Sequence, residues 1–184
     1  MNAITLMVDE HKVIKRMLAV IRKACFRVLN GQEINYIDFE KMIDFVRSYA
    51  DKHHHGKEEK ILFNKMVDEI GGAAEKLIKN GMLVEHDLGR LHIKELEEAL
   101  SKVKNGDEEA KLDVIANAIS YTHLLHRHID KEDGVVYVFA EKHLKKDSLD
   151  KVDMECEAFE EEMKIEDVHN KYLRLVEELE QKYQ

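Results

Sequence analysis

The chain has 184 residues, 44% of them hydrophobic, with no Pro, no Trp and 8 Gly. That is enough apolar material for a core and too few turn formers for a β-sandwich, a Pro-rich linker or a disordered chain. Lys and Arg number 29 against 38 Asp and Glu, a net charge of −9, which argues against a nucleic-acid or anionic-membrane surface. Long helices remain, forming one domain by length with room for an appendage. Cys25 and Cys156 have no recognisable pair spacing, and Met1 to Glu10 does not read as a secretory leader. With no run of about 18 apolar residues to span a bilayer, the expectation is a cytoplasmic protein with soluble partners.

Asn30-Gly31, Gly71-Gly72 and Asn105-Gly106 punctuate the sequence, and Gly and Asn stop helices by accepting left-handed backbone angles. The first predicted helix, over about 5–29, carries Met7, His11, Ile14, Leu18, Ile21, Cys25 and Val28 on one face. In the second, over about 35–70, Phe39, Ile43, Val46, Ala50, Ile61 and Leu62 share a face with His54 and Glu58. The third, over about 75–104, places His86 in register with Gly89, Ile93, Leu96, Leu100 and Val103. The fourth starts at an Asp107 N-cap and runs to about 145, with Val114, Ala118, Tyr121, Leu125, Val135 and Phe139 beside His128 and Glu132. Short connections make neighbours antiparallel, so the predicted fold is all-α, an up-down-up-down four-helix bundle over 1–147. Residues 148–184 are acidic, yet Ile165, Val168, Tyr172, Leu175 and Leu179 keep a heptad spacing. They predict one additional C-terminal helix, packed on the bundle or on another subunit.

Eleven histidines stand out. A lone buried His is ordinarily a hydrogen-bonded core residue, but here four core stripes each contain one and two also contain a Glu, a residue buried only when paired or coordinated. Residues 54–63 align with residues 128–137, both beginning His-x-x-x-Glu, a spacing that stacks imidazole and carboxylate one turn apart on one face. Bundle interiors build di-iron sites from such side chains. The candidate metal ligands are therefore His11, His54, Glu58, His86, His128 and Glu132. Of the tandem His53-His54-His55 only one can face the core of a regular helix, and the helical wheel picks His54. The pair His55 and Glu59 is the alternative, as Asp133 is to Glu132. His123 and His126 fall on the far side of the fourth helix, with a weaker second metal site as their sharper reading; His92, His143 and His169 read as surface residues, Tyr121 and Cys25 as core.

In sequence order, Glu10-His11-Lys12-Val13-Ile14, the block at 53–63, Glu85-His86 and the run from His128 to Asp133 resemble the hemerythrin-like family over about residues 4–145. The resemblance implies two non-heme irons inside a four-helix bundle, with bridging carboxylates, and binding of or reaction with O₂, nitric oxide or peroxide in sensing or stress response. Oxygen-carrying members place a second His four residues after the third-helix His, where this chain has Arg90. The chain looks more like the branch with His-x-x-x-Glu on the second and fourth helices. Zinc instead of iron, and an interaction module or homo-oligomer working through the C-terminal helix around a structural metal, are the competing readings. Whether the protein is a sensor, a store or an enzyme is left open by these residues.

Overall fold

The computed structural model describes residues 2–164 and 167–184. Helix α1 (Ala3–Leu29) starts at Asn2, whose side chain accepts the Thr5 N–H at 2.7 Å. Helix α2 (Tyr36–Phe45), capped by Asn35, runs on through two π-helical stretches, Val46–His55 and Glu58–Leu62, into α3 (Phe63–Ile70). Helix α4 (Gly72–Leu77) continues through a third, Ile78–Met82, into α5 (Leu83–Lys104). After a short 3₁₀ turn, α6 (Lys111–Lys131) passes through a fourth, Glu132–Val136, into α7 (Tyr137–His143). The breaks fall at the positions the sequence marks: φ is 84° at Gly31, 76° at Gly71 and 98° at Gly106, angles rarely open to residues with a Cβ. Helices α1, α2, α5 and α6 pack as the expected antiparallel four-helix bundle, each touching two of the others.

The C-terminal segment departs from expectation. Instead of one helix it forms α8 (Lys146–Lys164) and α9 (Val168–Lys182), and Asp167 before α9 has left-handed angles, φ 49° and ψ 35°, which no continuous helix accommodates. Val152 and Cys156 of α8 pack with Met7, Leu62 and Phe63, and Val168, Tyr172, Val176 and Leu179 of α9 are buried beside α1 and α2. Ile165, part of the predicted heptad, lies outside the described residues. Among the described residues no helix is long and apolar enough to cross a membrane.

The apolar interior is divided. One cluster joins α1 from Val13 onward, α2, α5, α6 and α9; another joins the start of α1, α3, α4, α7 and α8. Between them each bundle helix passes through a layer of buried His and Glu. The π-helical stretches Val46–His55, Glu58–Leu62 and Glu132–Val136 supply residues of this layer, where a wider i→i+5 turn rotates each residue less about the axis and so shifts the register of everything after it. Val135, predicted inward, is 53% exposed, while Val136 and Tyr137 are buried. The shift follows from the π turn that begins at Glu132.

The docking of α9 has a direct test. The Tyr172 ring is buried and its hydroxyl donates to Asp44 at 2.8 Å. Tyr172→Ala is expected to destabilise the chain by about 3 kcal/mol in urea denaturation; an unchanged midpoint would mean that α9 contributes nothing to the folded bundle.

Candidate metal centre

Each helix brings its polar side chains to the layer at one height. His11 comes from α1, His54 and His55 from the first π stretch, Glu58 from the second, His86 from α5, His128 from α6 and Glu132 from the fourth π stretch. Two groups of donor atoms result, each within 4.8 Å: His11, His54, Glu58 and Glu132, and His55, Glu58, His86 and His128. Glu58 belongs to both, with Oε2 at 3.7 Å from His54 Nε2 and 3.5 Å from His86 Nε2. Glu132 also reaches both, 3.3 Å from His11 Nε2 and 3.0 Å from His128 Nε2. The structure thus brings all six sequence-predicted residues together and adds His55.

The outer ring fixes how the imidazoles face. His11 Nδ1 donates to Asp133 at 2.7 Å, His54 Nδ1 to Glu10 at 2.8 Å, His55 Nδ1 to Asp51 at 3.2 Å, His86 Nδ1 to Glu59 at 2.7 Å and His128 Nδ1 to Glu85 at 2.9 Å. Ionised carboxylates can only accept, so the neutral rings carry their proton on Nδ1 and turn an Nε2 lone pair inward. This carboxylate-behind-imidazole arrangement typically orients metal ligands.

The inward atoms require a cation. His11 Nε2 stands 2.8 Å from His54 Nε2, and His86 Nε2 stands 3.0 Å from His128 Nε2, so each pair needs either a shared proton or a metal ion between its two nitrogens. Among the described residues, His55 Nε2, Glu58 Oε2 and both Glu132 oxygens are buried without a hydrogen-bond partner. Two donors each about 2.1 Å from one ion and at right angles to each other would stand about 3 Å apart, which matches the two N–N separations. The protonation preferences show the same need. Burial and the adjacent Glu132 hold Glu58 well above the ordinary carboxylate range, and burial drives His54 down to about 4 and His55 well below its usual value. Against burial, Glu132 and Glu85 push His128 up to about 9, while Asp133 and Glu132 raise His11. Without a metal, protons must supply the positive charge that the buried carboxylates demand.

The reading of the tandem histidines is corrected. All of His53, His54 and His55 are buried, because the π-helical backbone through Val46–His55 lets successive residues reach the interior and because α8 covers the remaining side. His54 and His55 are therefore not alternatives: both are in the centre, and Glu59 stands behind His86. Glu132 faces inward while Asp133 stands behind His11. Arg90 occupies the position where the oxygen carriers have their additional His; it bonds Asp51 at 2.6 Å and Glu59 at 2.7 Å, the acceptors behind His55 and His86. The fifth imidazole comes from the second helix instead of the third.

His123 bonds Arg22 at 3.3 Å on the surface, and with His126 it belongs to no donor group among the described residues. His92 bonds Asn117, His143 lies against Phe139 and His169 meets the Tyr49 hydroxyl, none of them in the centre. Tyr121 is buried, as expected, though its hydroxyl has no hydrogen-bond partner among the described residues. Sequence reasoning missed Glu10, His53, Lys57, Glu85 and Tyr137. The repeated Glu-His dipeptide at 10–11 and 85–86 was the available signal: in both cases the Glu crosses to the His of the next helix.

The family model described as the hemerythrin HHE cation-binding domain matches residues 2–140. No curated protein and no solved structure matches the chain. With three quarters of its length covered by that match and a buried His and Glu constellation suited to a metal ion, the chain belongs to the hemerythrin HHE cation-binding family.

Proposed function

We propose that the chain is a non-heme di-iron protein that binds or reacts with a small ligand, O₂, nitric oxide or peroxide. The observation that carries this reading is the set of five inward Nε2 atoms facing two buried carboxylates, Glu58, which belongs to both donor groups, and Glu132, which lies within 3.3 Å of an imidazole of each. Imidazole and carboxylate together suit iron. His11 and His54 would hold one ion, His55, His86 and His128 the other, and Glu58 and Glu132 would serve both. Two irons so held would supply redox-active positions for a small exogenous ligand.

The chain's own residues prepare that chemistry. Tyr137, fully buried, donates its hydroxyl to Glu58 Oε1 at 2.6 Å, orienting the carboxylate and leaving the other oxygen inward. The apolar clusters above and below keep bulk water out. A cavity of about 260 Å³, lined by Val46, Asp51, His55, His86, Gly89 and Tyr121 among others, leads from the surface to the three-imidazole side. The unpartnered Tyr121 hydroxyl is a donor for a ligand in transit. The reading with a structural metal and a partner-binding C-terminal helix has less support, since the apolar stripe of α9 is buried on its own chain.

Reading and site are tested separately. Anaerobically reduced, iron-loaded protein is expected to change its ultraviolet-visible spectrum on exposure to O₂, nitric oxide or peroxide; a spectrum silent to all three rules the ligand out. Multiple turnover of peroxide or nitric oxide would make it an enzyme, a single stoichiometric change a sensor or store. His54→Ala and His55→Ala are each expected to weaken the binding of one iron by at least 10- to 100-fold, measured by chelator competition. If only one of them loses iron, the tandem supplies a single ligand. Tyr121→Phe is expected to retain both irons and slow the ligand reaction several-fold, read by stopped-flow absorbance, whereas equal rates would remove Tyr121 from the route.

A further inference from the structure

The centre is built from two halves related by an approximate repeat, and the halves differ in how the crossing Glu is held. In the first, Glu10 crosses from α1 to His54 and is itself held by Lys57. In the second, Glu85 crosses from α5 to His128 and is held by Lys131. Lys131 is 44% exposed, but Lys57 is 0% exposed, covered by α8, and bonded also to Glu160 of that helix. His53 completes this first half: its Nε2 lies 3.0 Å from Glu10 and 3.2 Å from Glu160, under the Tyr49 ring. Glu10, His53 and Glu160 thus form a third group of donor atoms, with the Lys57 ammonium as its resident cation.

We infer that Glu160 is a positioning residue of the metal centre, acting through Lys57 and Glu10 on His54 and thereby making α8, which lies beyond the family-matched residues 2–140, a working part of the site. The inference rests on the metal reading above. Its physical basis is competition for one carboxylate. Glu10 serves His54 Nδ1, His53 and Lys57 at once. With Glu160 present, the ammonium is shared between two carboxylates, and Glu10 keeps acceptor strength for His54. A stronger acceptor behind an imidazole makes its Nε2 a better metal donor. With Glu160 neutral, Lys57 draws on Glu10 alone, and the His54 side loses basicity and negative charge together. Among the described residues Lys131 has no such third partner in the second half, so the effect falls on one metal position only.

Glu160→Gln keeps the size of the side chain, and Glu157→Gln, exposed on the same helix, is the control. The probe is Fe²⁺, titrated anaerobically into metal-free full-length chain against a chromophoric chelator, with thermal denaturation of the metal-free forms alongside. We expect one of the two Fe²⁺ equivalents to bind about tenfold more weakly in Glu160→Gln, the other unchanged, and Glu157→Gln to behave as the parent chain. Identical isotherms for both variants and the parent would overturn the inference. So would equal weakening of both equivalents together with a lower melting temperature of the metal-free form, which is the signature of a purely structural clasp. A parent chain that takes up no Fe²⁺ removes the metal reading itself, and the inference with it.

Discussion

The structure depends on one constraint: a layer of imidazole lone pairs and carboxylates is buried between two apolar clusters, where water cannot satisfy it. An apolar core in the same place would fold with less difficulty, because an unpaired buried polar group costs about 1–3 kcal/mol and a buried charge more. The outer carboxylates resolve half of the problem by accepting the Nδ1–H hydrogen bonds. They leave the other half, inward atoms that repel each other unless a cation lies among them. The π-helical stretches belong to the same solution. They give the second and fourth helices the wider turns that direct His54, His55, Glu58 and Glu132 into one layer.

The approximate two-fold repeat runs deeper than the paired His-x-x-x-Glu segments. Helix one and helix three each present a Glu-His dipeptide, and in each half the Glu holds the next helix's His while a Lys holds the Glu. Asp133 behind His11 corresponds to Glu59 behind His86. His55 breaks the symmetry, since the residue aligned with it is the apolar Ile129. Arg90 completes that break by clamping Asp51 and Glu59 from outside. The two halves therefore present unequal donor sets, three imidazoles against two, and α8 adds a second inequality at Lys57.

Much of this was legible in the sequence. The four helices follow from 3–4 spacing and Gly punctuation, and the six inward residues from His and Glu interrupting apolar stripes. What a regular 100° wheel cannot reveal is a change of pitch, so it forced a choice between His54 and His55 and turned Val135 inward. The outer ring was hidden for a different reason. Glu10, Glu85, Glu59 and Asp133 lie beside inward residues on their own helices and look solvated there, and their partners are on neighbouring helices. The break into α8 and α9 turns on the backbone at Asp167, where no Gly or Pro marks it.

The central claim is that the buried donor layer holds two cations per chain. Metal content per chain, measured on protein expressed with iron supplementation and freed of adventitious metal, tests it most directly. The account predicts two irons per chain, and their removal should lower the melting temperature, because the facing imidazoles then lose their shared cation. One zinc per chain, or no metal with an unchanged melting temperature, would contradict it.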